Sequence, residues 1–497
     1  MRSKRVLALL LSALLLLPTL ASCATGEPST NDGSSTTAST NETNTDELKD
    51  SLPDDLDYNE DEIVFVSTHA SGIADEIFAP AIAAEPVNDA VFERNKTVEN
   101  RLNVKITSVH AGEPTDQAIH SVTSGSGDYD VMVARSWVAA PKTIEGYFAN
   151  LRDTLYLDFD QPWWTQSFND VMHYRDLQFA VTGAMVLSTY RRTYTTAFNK
   201  SVFTDANQPF LYEYVEDGTW TLDKQISLVP LFHRDNGNGI QDDQGDVYGF
   251  ASGGMASIDA YWSSCQLDII RKDADGVYEV VLDMDRLHSA AEKILALFHG
   301  TDGASRIFAP HGMGAEHDDI RELFAAGYSA MATLRIIELE RSSMRNMSQK
   351  FGVVPMPKYD ESQADYYTLL QDQLTVFTIP TTVTGDRLDE VSAVLEAMAS
   401  TSYRIVRPAY YETTLRTKIA QDPQSSEMMA RVIDGIYIDA GILYVASLPG
   451  FQGELRALVN SNNNDAISRF KSVSTRTRSS VRAIMKRLDR IKQKQER

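Results

Sequence analysis

The sequence predicts an α/β protein built of two lobes. Its first part alternates short apolar runs, typical of buried strands, with helical patterns, and this alternation favours βαβ units around a parallel sheet. The following part is more helical, and strand-like runs then return. The predicted strands are 63–66, 104–106, 130–134, 328–333 and 374–379, and the predicted helices are 87–102, 116–122, 222–229, 285–298 and 318–326. We therefore expect two lobes connected by several chain crossings.

Local sequence patterns predict each of the early strands and helices. The run Ile63-Val64-Phe65-Val66 is short and continuously apolar, as in a buried strand. The segment 87–102 places apolar residues at helical spacing among charged ones. Ligands of open parallel sheets bind beyond the carboxyl ends of the strands. The loops after the first and third strands, which carry His69 and Arg135-Ser136-Trp137, are therefore where we expect binding residues.

The amino terminus has the pattern of an export signal. Basic residues at positions 2, 4 and 5 precede an apolar run over 6–17 that is short for a membrane span. The string Leu20-Ala21-Ser22-Cys23 resembles a bacterial lipobox. This implies a lipoprotein signal peptide over 1–22, lipid such as palmitate on Cys23, and a place at the cell membrane facing the extracellular side or the periplasm. An ordinary signal peptide with a coincidental cysteine is the alternative.

Residues 23–58 are predicted to form a lipid-anchored flexible linker. They are rich in Ser, Thr, Asn, Gly and acidic residues, so the burial of apolar groups cannot offset the entropy of ordering them. The net charge of −23 argues against nucleic acid as a partner, because phosphates need a basic footprint. Cys265 is the only other cysteine. A lipidated Cys23 would leave no internal disulfide, and Cys265 is expected to be a small buried hydrophobe.

A family resemblance runs through the body of the chain. The segment 351–361, Phe-Gly-Val-Val-Pro-Met-Pro-Lys-Tyr-Asp-Glu, resembles the return segment of extracellular solute-binding proteins of family 1, the sugar-capturing lipoproteins of ABC importers. The other stretches that carry the resemblance are Tyr129-Asp130-Val131, Gln161-Pro162-Trp163-Trp164, Phe198-Asn199-Lys200, Asp217-Gly218-Thr219-Trp220-Thr221, Asp246-Val247-Tyr248-Gly249, 402–410 and 418–427. Each motif by itself is weak evidence. The resemblance rests on their order over residues 60–460, which is the same as in the family.

The resemblance implies a periplasmic-binding-protein-like fold of type II, with two α/β lobes joined by hinge crossings. The expected segments are 59–195 and 351–400 for the amino-terminal lobe, 196–350 and 401–464 for the carboxy-terminal lobe, and 465–497 for a basic helix or tail. The family consists of monomeric binding proteins, not enzymes, that deliver a carbohydrate to an ABC permease. We expect an oligosaccharide or an acidic sugar here.

Two other functions stay open at this stage. A lipoprotein of the same fold can act as a sensor or bind a non-sugar solute. A secreted glycan-cleaving enzyme needs two carboxylates at a controlled separation, one with a raised pKa. The sequence shows no recognisable catalytic motif, which disfavours the enzyme.

The candidate ligand-binding residues combine aromatic rings with polar groups, as sugar sites do. Trp137 follows the predicted strand 130–134, and Trp262 follows a predicted strand near Phe250 and Ala251. Trp163-Trp164 precede the crossing between the lobes. Each tryptophan has a role in core packing as its alternative. Tyr190 and Arg191 lie at the first crossing. A guanidinium there can bind hydroxyls or a carboxylate of the ligand, or it can form a salt bridge across the hinge.

Three further candidates lie near the return crossing. Arg335 follows the run 328–333, where the family often places a ligand residue of the second lobe and commonly offers an aromatic. The arginine would suit an acidic sugar. Gln371 and Asp372 precede the last predicted strand and are expected to supply polar contacts.

The segment 235–246 resembles a calcium loop. Calcium takes oxygen ligands at alternating positions, with glycine at the sharp sixth position. If Gly239 is that glycine, the expected ligands are Asn236, Asn238, the carbonyl of Ile240, Asp242 and, for the final carboxylate, Asp243 or Asp246. Arg234 stands at the first position and cannot coordinate, so a plain turn is the alternative. No other cofactor is expected.

The carboxy-terminal stretch is strongly basic from Ser468 onwards. Val481, Ile484, Leu488 and Ile491 are spaced like one face of a helix. A packed terminal helix is favoured over a membrane-binding one.

Overall fold

The computed structural model describes residues 48–69, 72–238, 245–309, 315–448 and 450–495. The predicted signal peptide, Cys23 and most of the predicted linker lie outside the described residues. Within these ranges no helix has both the length and the apolarity that crossing a membrane requires. The folded body begins earlier than residue 59, because Leu52 is buried and Asp50 pairs with Arg101 at 2.7 Å.

The strands are β1 (Asp61–Ser67), β2 (Val104–His110), β3 (Val131–Arg135), β4 (Tyr194–Asn199), β5 (Tyr248–Gly253), β6 (Ile270–Lys272), β7 (Tyr278–Val280), β8 (Ser305–Phe308), β9 (Ser329–Arg335), β10 (Phe351–Val354), β11 (Thr368–Leu369), β12 (Thr375–Thr378) and β13 (Ile436–Tyr437). The α-helices of the first half are α1 (Ile73–Ile77), α2 (Pro86–Leu102), α3 (Pro114–Ser124), α4 (Ser136–Thr143), α5 (Gln166–Met172), α6 (Ser188–Arg191), α7 (Lys200–Asp205), α8 (Leu211–Glu216) and α9 (Leu222–Phe232). Those of the second half are α10 (Ala256–Ser264), α11 (Met284–His299), α12 (Ala315–Ala325), α13 (Ile336–Leu339), α14 (Ser342–Arg345), α15 (Asp386–Arg404), α16 (Val406–Tyr410), α17 (Pro423–Asp434), α18 (Ala440–Leu443), α19 (Phe451–Asn460) and α20 (Ala466–Gln495).

Two sheets organise the body. The first has the strand order β12-β3-β1-β2, and the second has the order β10-β4-β9-β5-β8. In the first sheet β1 is parallel to β2 and β3, whereas β12 runs antiparallel to β3. In the second sheet β5 is parallel to β8 and β9, whereas β4 runs antiparallel to β9 and β10. Each sheet thus combines the parallel pairing predicted from the sequence with antiparallel strands that follow chain crossings.

Helix α2 shows how the local sequence sets an element. The side chain of Glu85 accepts hydrogen bonds from the backbone N–H groups of Val87 and Asn88, and Pro86 occupies the first helical position, where it suits a helix start. The helix ends at Leu102 and is capped by Asn103, which adopts a left-handed conformation with φ of 52°. The apolar face predicted for 87–102 is buried.

The return segment lies in the second sheet, whereas the sequence assigned 351–400 to the first lobe. Strand β10 pairs antiparallel with β4. Gly352 permits this pairing, because a Cβ atom there would lie 2.4 Å from the Phe198 ring and the Tyr212 hydroxyl. The chain reaches the first sheet only afterwards, at β12. The crossing therefore lies after Val354, and the other lobe boundaries stay predictions.

A buried carboxylate ties two tryptophans into the core around the first sheet. The indole N–H groups of Trp163 and Trp164 donate to the two oxygens of Glu396 at 2.9 and 3.0 Å. The backbone N–H of Asp158 donates to Glu396 at 3.2 Å. Burial raises the pKa of Glu396 to about 8. Both rings therefore serve packing and hold α15 against the segment before α5.

We predict that Glu396→Leu destabilises the protein by about 3 kcal/mol, because two buried N–H donors lose their acceptor. Glu396→Gln keeps one side-chain oxygen and should lose less. Urea unfolding followed by tryptophan fluorescence measures both changes. Equal stability of the Leu variant and the wild type would contradict the proposed role of Glu396.

Candidate functional site

The chain crosses between the two sheets in the segments that lead into β4 and into β12. The carboxyl ends of β3 and β9 lie beside these two chain crossings. β3 ends at Arg135, which is paired with Thr375, and β9 ends at Arg335, which is paired with Tyr194. The crossings themselves are joined where Thr193 bridges to Leu370. Because ligands of α/β sheets bind at this edge, the polar groups here form the candidate site. We call this set the crossing site: Arg135, Trp137, Tyr194, Asp259, Glu316, Arg335, Gln371, Asp372 and Arg456.

Gln371 and Asp372 connect the crossing to both lobes. The side-chain oxygen of Gln371 accepts a hydrogen bond from Arg335 Nη1 at 2.7 Å. The backbone carbonyl of Asp372 accepts hydrogen bonds from Ser136 Oγ at 2.6 Å and from the Trp137 N–H at 3.0 Å. Two consecutive residues therefore contact both the end of β9 and the start of α4.

Trp137 presents a partly exposed ring at the start of α4. Its side chain is 36% exposed, and the Arg135 guanidinium lies 5.4 Å from the ring centre. The remaining tryptophans, all at most 2% exposed, are Trp163, Trp164, Trp220 and Trp262. Trp137 is therefore the tryptophan whose ring a ligand can reach.

Arg335 is a buried donor of the second lobe. It is 7% exposed, and its guanidinium also pairs with Glu338, whose other oxygen lies 3.0 Å from Arg321. Arg335 Nε has no hydrogen-bond partner among the described residues. Buried polar atoms in folded proteins are nearly always hydrogen-bonded, so this N–H can donate to a ligand oxygen.

Two buried acids flank the site from α10 and α12. Arg456 donates from Nε to Asp259 Oδ1 at 2.9 Å and from Nη2 to the other oxygen, so both oxygens of Asp259 are occupied. Glu316 accepts from the backbone N–H of Ala256 at 3.1 Å, and its Oε2 has no hydrogen-bond partner within the described ranges. Asp259 is thus fixed in an ion pair, whereas Glu316 retains an acceptor.

Asp372 experiences charges from both lobes. Burial, followed by the negative charge of Asp259, raises the pKa of this carboxyl to about 6. The cations Arg456, Arg135 and Arg335 oppose the rise. Its charge therefore changes near neutral pH, at the point where the crossing meets both sheets.

Tyr190 and Arg191 have protein partners at the first crossing. The Tyr190 ring stacks on Tyr410, with 5.9 Å between the ring centres. Arg191 lies 3.1 Å from Glu340 and 3.9 Å from Glu76. Burial raises the pKa of Glu76 to about 7. The structure thus gives Arg191 the salt bridge at the hinge that was the alternative to ligand binding.

Three tryptophans predicted for the site lie in the core. Trp163 and Trp164 donate to Glu396, as described above. Trp262 packs edge-on against Phe451 and Phe470, with ring centres 6.4 and 5.6 Å apart. It borders a cavity of about 260 Å³ near the carboxyl end of α10. The predicted residues that the structure brings together are Trp137, Arg335, Gln371 and Asp372.

The predicted calcium loop is only partly described. Ile240, Asp242 and Asp243 lie outside the described residues. The Asn236 N–H donates to an Asp246 carboxylate oxygen at 3.0 Å, and the Asn238 N–H donates to the Asn236 side chain at 2.9 Å. No group of three or more His, Cys, Asp or Glu side chains suited to a metal ion occurs in the part of the chain that the structure describes. Calcium binding stays a prediction.

Asp259, Glu316 and Arg456 were not expected from the sequence. Asp259 and Glu316 follow β5 and β8, so the rule that ligands bind beyond strand ends, which pointed to Trp137, could have included them. Arg456 lies in α19, far from Asp259 in sequence, and no local pattern marks it. Its place in the site comes from helix packing alone.

Comparisons with known proteins find likeness at the level of structure. No family model matches the chain, and no curated protein matches it. The GacH receptor of Streptomyces glaucescens GLA.O, studied unliganded and with acarbose and an acarbose homolog, is similar with a TM-score of 0.52 and 14% identity, covering 86% of this chain and 99% of its own. An ABC transporter solute-binding protein from Thermotoga lettingae TMO, bound with alpha-D-tagatose, is similar with a TM-score of 0.53 and 13% identity, covering 85% of this chain and 100% of its own. The apo form of RafE from Streptococcus pneumoniae is similar with a TM-score of 0.52 and 11% identity, covering 85% of this chain and 98% of its own.

The chain has the two-lobe fold of solute-binding proteins. The predicted fold class is thereby confirmed. The identities of 11–14% support the fold and not a particular ligand.

We predict that Arg456→Met destabilises the protein by about 3 kcal/mol, because it leaves Asp259 buried without its counter-charge. The double variant Arg456→Met/Asp259→Leu should recover most of the loss, because it removes both charges. Thermal and urea unfolding of the two variants and the wild type measure this. A double variant no more stable than Arg456→Met would contradict the ion-pair explanation.

Proposed function

We propose that this chain is the extracytoplasmic substrate-binding lipoprotein of an ABC importer, and that it captures a carbohydrate at the crossing site and delivers it to the permease. The observation that carries the proposal is the junction at Gln371-Asp372. There the backbone N–H of Trp137, whose ring is exposed, and the buried side chain of Arg335 hydrogen-bond to two consecutive residues. The similar structures support it, since one was studied in complex with acarbose and another bound with alpha-D-tagatose.

The geometry suggests how a sugar would be held. The ring of Trp137 offers an apolar face for the C–H groups of a pyranose, while Arg335 Nε donates and the carboxylates of Asp372 and Glu316 accept from hydroxyls. The groups come from both lobes, so a closed arrangement makes more ligand contacts than an open one. This difference in affinity is what drives closure.

Binding is favoured over glycan cleavage by the similar structures, which are a receptor and an ABC transporter solute-binding protein. Asp372 has the raised pKa of a general acid, and a retaining or inverting glycosidase would need a second free carboxylate opposite it. Asp259, the acid whose charge acts most strongly on Asp372, has both oxygens occupied by Arg456, so among the described residues Glu316 is the other acid of the crossing site with a free carboxylate oxygen. A measurement of reducing-sugar release by the purified protein is therefore the control that separates the two functions.

We further propose a location and partners for the protein. Lipid on Cys23 would anchor a monomeric protein to the membrane on its outer side, within reach of the permease. A structural calcium ion in the 235–246 loop is part of the proposal. A sensor role for the same fold would leave ligand binding unchanged, and loss of transport after gene deletion distinguishes import from sensing.

The central test is titration of the protein with a panel of neutral and acidic oligosaccharides, followed by tryptophan fluorescence. We expect saturable binding of at least one glycan. Trp137→Ala should weaken it by about tenfold or more through loss of the ring face, and Trp137→Phe should retain most of the affinity. Leu155→Ala, at an exposed leucine outside the crossing site, is the control and should bind like the wild type.

Two outcomes would count against the proposal. Binding of peptides or amines without any glycan would refute the carbohydrate assignment and leave the fold intact. Glycan binding that Trp137→Ala leaves unchanged would place the ligand elsewhere.

Ligand affinity should depend on pH through Asp372. Its carboxylate accepts hydroxyl hydrogen bonds more strongly when ionised, so affinity should be highest above the pKa of about 6 and fall as the pH drops through it. If only the ionised form binds, the loss between about pH 7 and pH 5 approaches tenfold. Isothermal titration at a series of pH values measures it. Asp372→Asn should bind weakly and without this dependence, and affinity that rises on acidification would show the opposite protonation state to be the binding form.

A further inference from the structure

Helix α20 separates its apolar and basic residues onto opposite faces. The buried side chains of its inner face are Phe470, Val473, Val481, Ile484 and Leu488. They join the large hydrophobic core beside Trp262 and Phe451. The sequence favoured a packed terminal helix here, and the inner face is packed along the length of the helix. This leaves the outer face to be explained.

Almost all the charged residues on the outer face of α20 are positive. Residues 466–495 contain ten Lys and Arg and one acidic residue, Asp489. Asp489 is engaged with the body, because it lies 3.1 Å from Arg175 and accepts from the Tyr174 hydroxyl at 3.2 Å. Arg469 pairs with Glu454, and Lys492 pairs with Asp176. These contacts all face the body.

Eight basic residues remain on the solvent side. They are Lys471, Arg476, Arg478, Arg482, Lys486, Arg487, Arg490 and Lys494, all exposed. None of them forms an ion pair with a residue in the described ranges. At 3.6 residues per turn their positions fall on the side opposite Phe470, Ile484 and Leu488, and they extend for about 35 Å along the helix. We call this set the basic stripe.

The basic stripe is not balanced by the rest of the protein. The chain as a whole carries a net charge of −23, yet these cations have no acidic partners within the described structure. Eight like charges on one helix face repel one another, at (i, i+4) spacing most of all. Such an arrangement costs stability in the free protein and is relieved by an anionic surface.

We propose that the basic stripe docks the protein onto anionic lipid headgroups. The stripe is about 35 Å long and of one sign, which fits a layer of negative charges, and charge complementarity is the basis of the choice. The apolar face of α20 is already used in the core, so the helix lies on the membrane surface and does not insert. The contact is electrostatic, weak for each residue and screened by salt. It is independent of what the crossing site binds.

The test measures cosedimentation of the full chain with phosphatidylcholine vesicles that contain or lack phosphatidylglycerol. We expect binding to depend on phosphatidylglycerol and to fall with added salt. The variant Arg482→Glu/Lys486→Glu/Arg490→Glu should reduce the partition coefficient by about tenfold or more. All proteins compared carry the same amino terminus, so any background from its apolar run is common to them.

The matched control is Lys105→Glu/Arg345→Glu/Lys350→Glu, which changes the net charge equally at exposed positions outside α20. It should bind the vesicles like the wild type, and circular dichroism should show both variants folded. Equal losses in the two variants would overturn the proposal in favour of a general charge effect. Binding to polyglutamate without binding to the anionic vesicles would overturn it in favour of an acidic protein partner.

Discussion

The hydrogen bond between Arg335 and Gln371 is the contact on which the arrangement of the candidate site depends. It joins the end of β9 to the crossing, and the next residue, Asp372, holds Ser136 and Trp137 through its carbonyl. A short segment that contacts both lobes can transmit a change in one to the other. This is the property that a hinged binding protein requires.

The buried polar groups of the protein differ in how completely hydrogen bonds satisfy them. Glu396 and Asp259 are each surrounded by donors that satisfy both oxygens, so they fix helices and indole rings in place. Arg335 Nε and Glu316 Oε2 have no hydrogen-bond partner among the described residues, and both belong to the crossing site. Incomplete satisfaction of buried polar groups has a free-energy cost, and a ligand that supplies the missing partners recovers it. The difference separates polar groups that the fold satisfies from those left available to the proposed ligand.

The predictions from sequence succeeded where the information is local. The apolar runs found β1, β2, β3, β9 and β12, the helical spacing found α2 and α11, and the ordered motifs indicated the two-lobe class. The strand-end rule pointed to Trp137 and the segment before β12 to Gln371 and Asp372, which the structure places near one another, and their role in binding stays a prediction. The same reasoning did not distinguish Trp137 from Trp163, Trp164 and Trp262, because the burial of a ring depends on what packs against it.

The sequence by itself determined the alternation of strands and helices, the α/β class and the amphipathic pattern of α20, because each depends on residues close together in the chain. Only the tertiary structure decided that β10 joins the second sheet, that Glu396 takes up two indole N–H groups and that Arg456 neutralises Asp259. It also decided that the cations of α20 face solvent without acidic partners in the described part of the chain. These features depend on atoms brought together from distant segments, where burial and Coulomb interactions set the energies and sequence spacing carries no record of them.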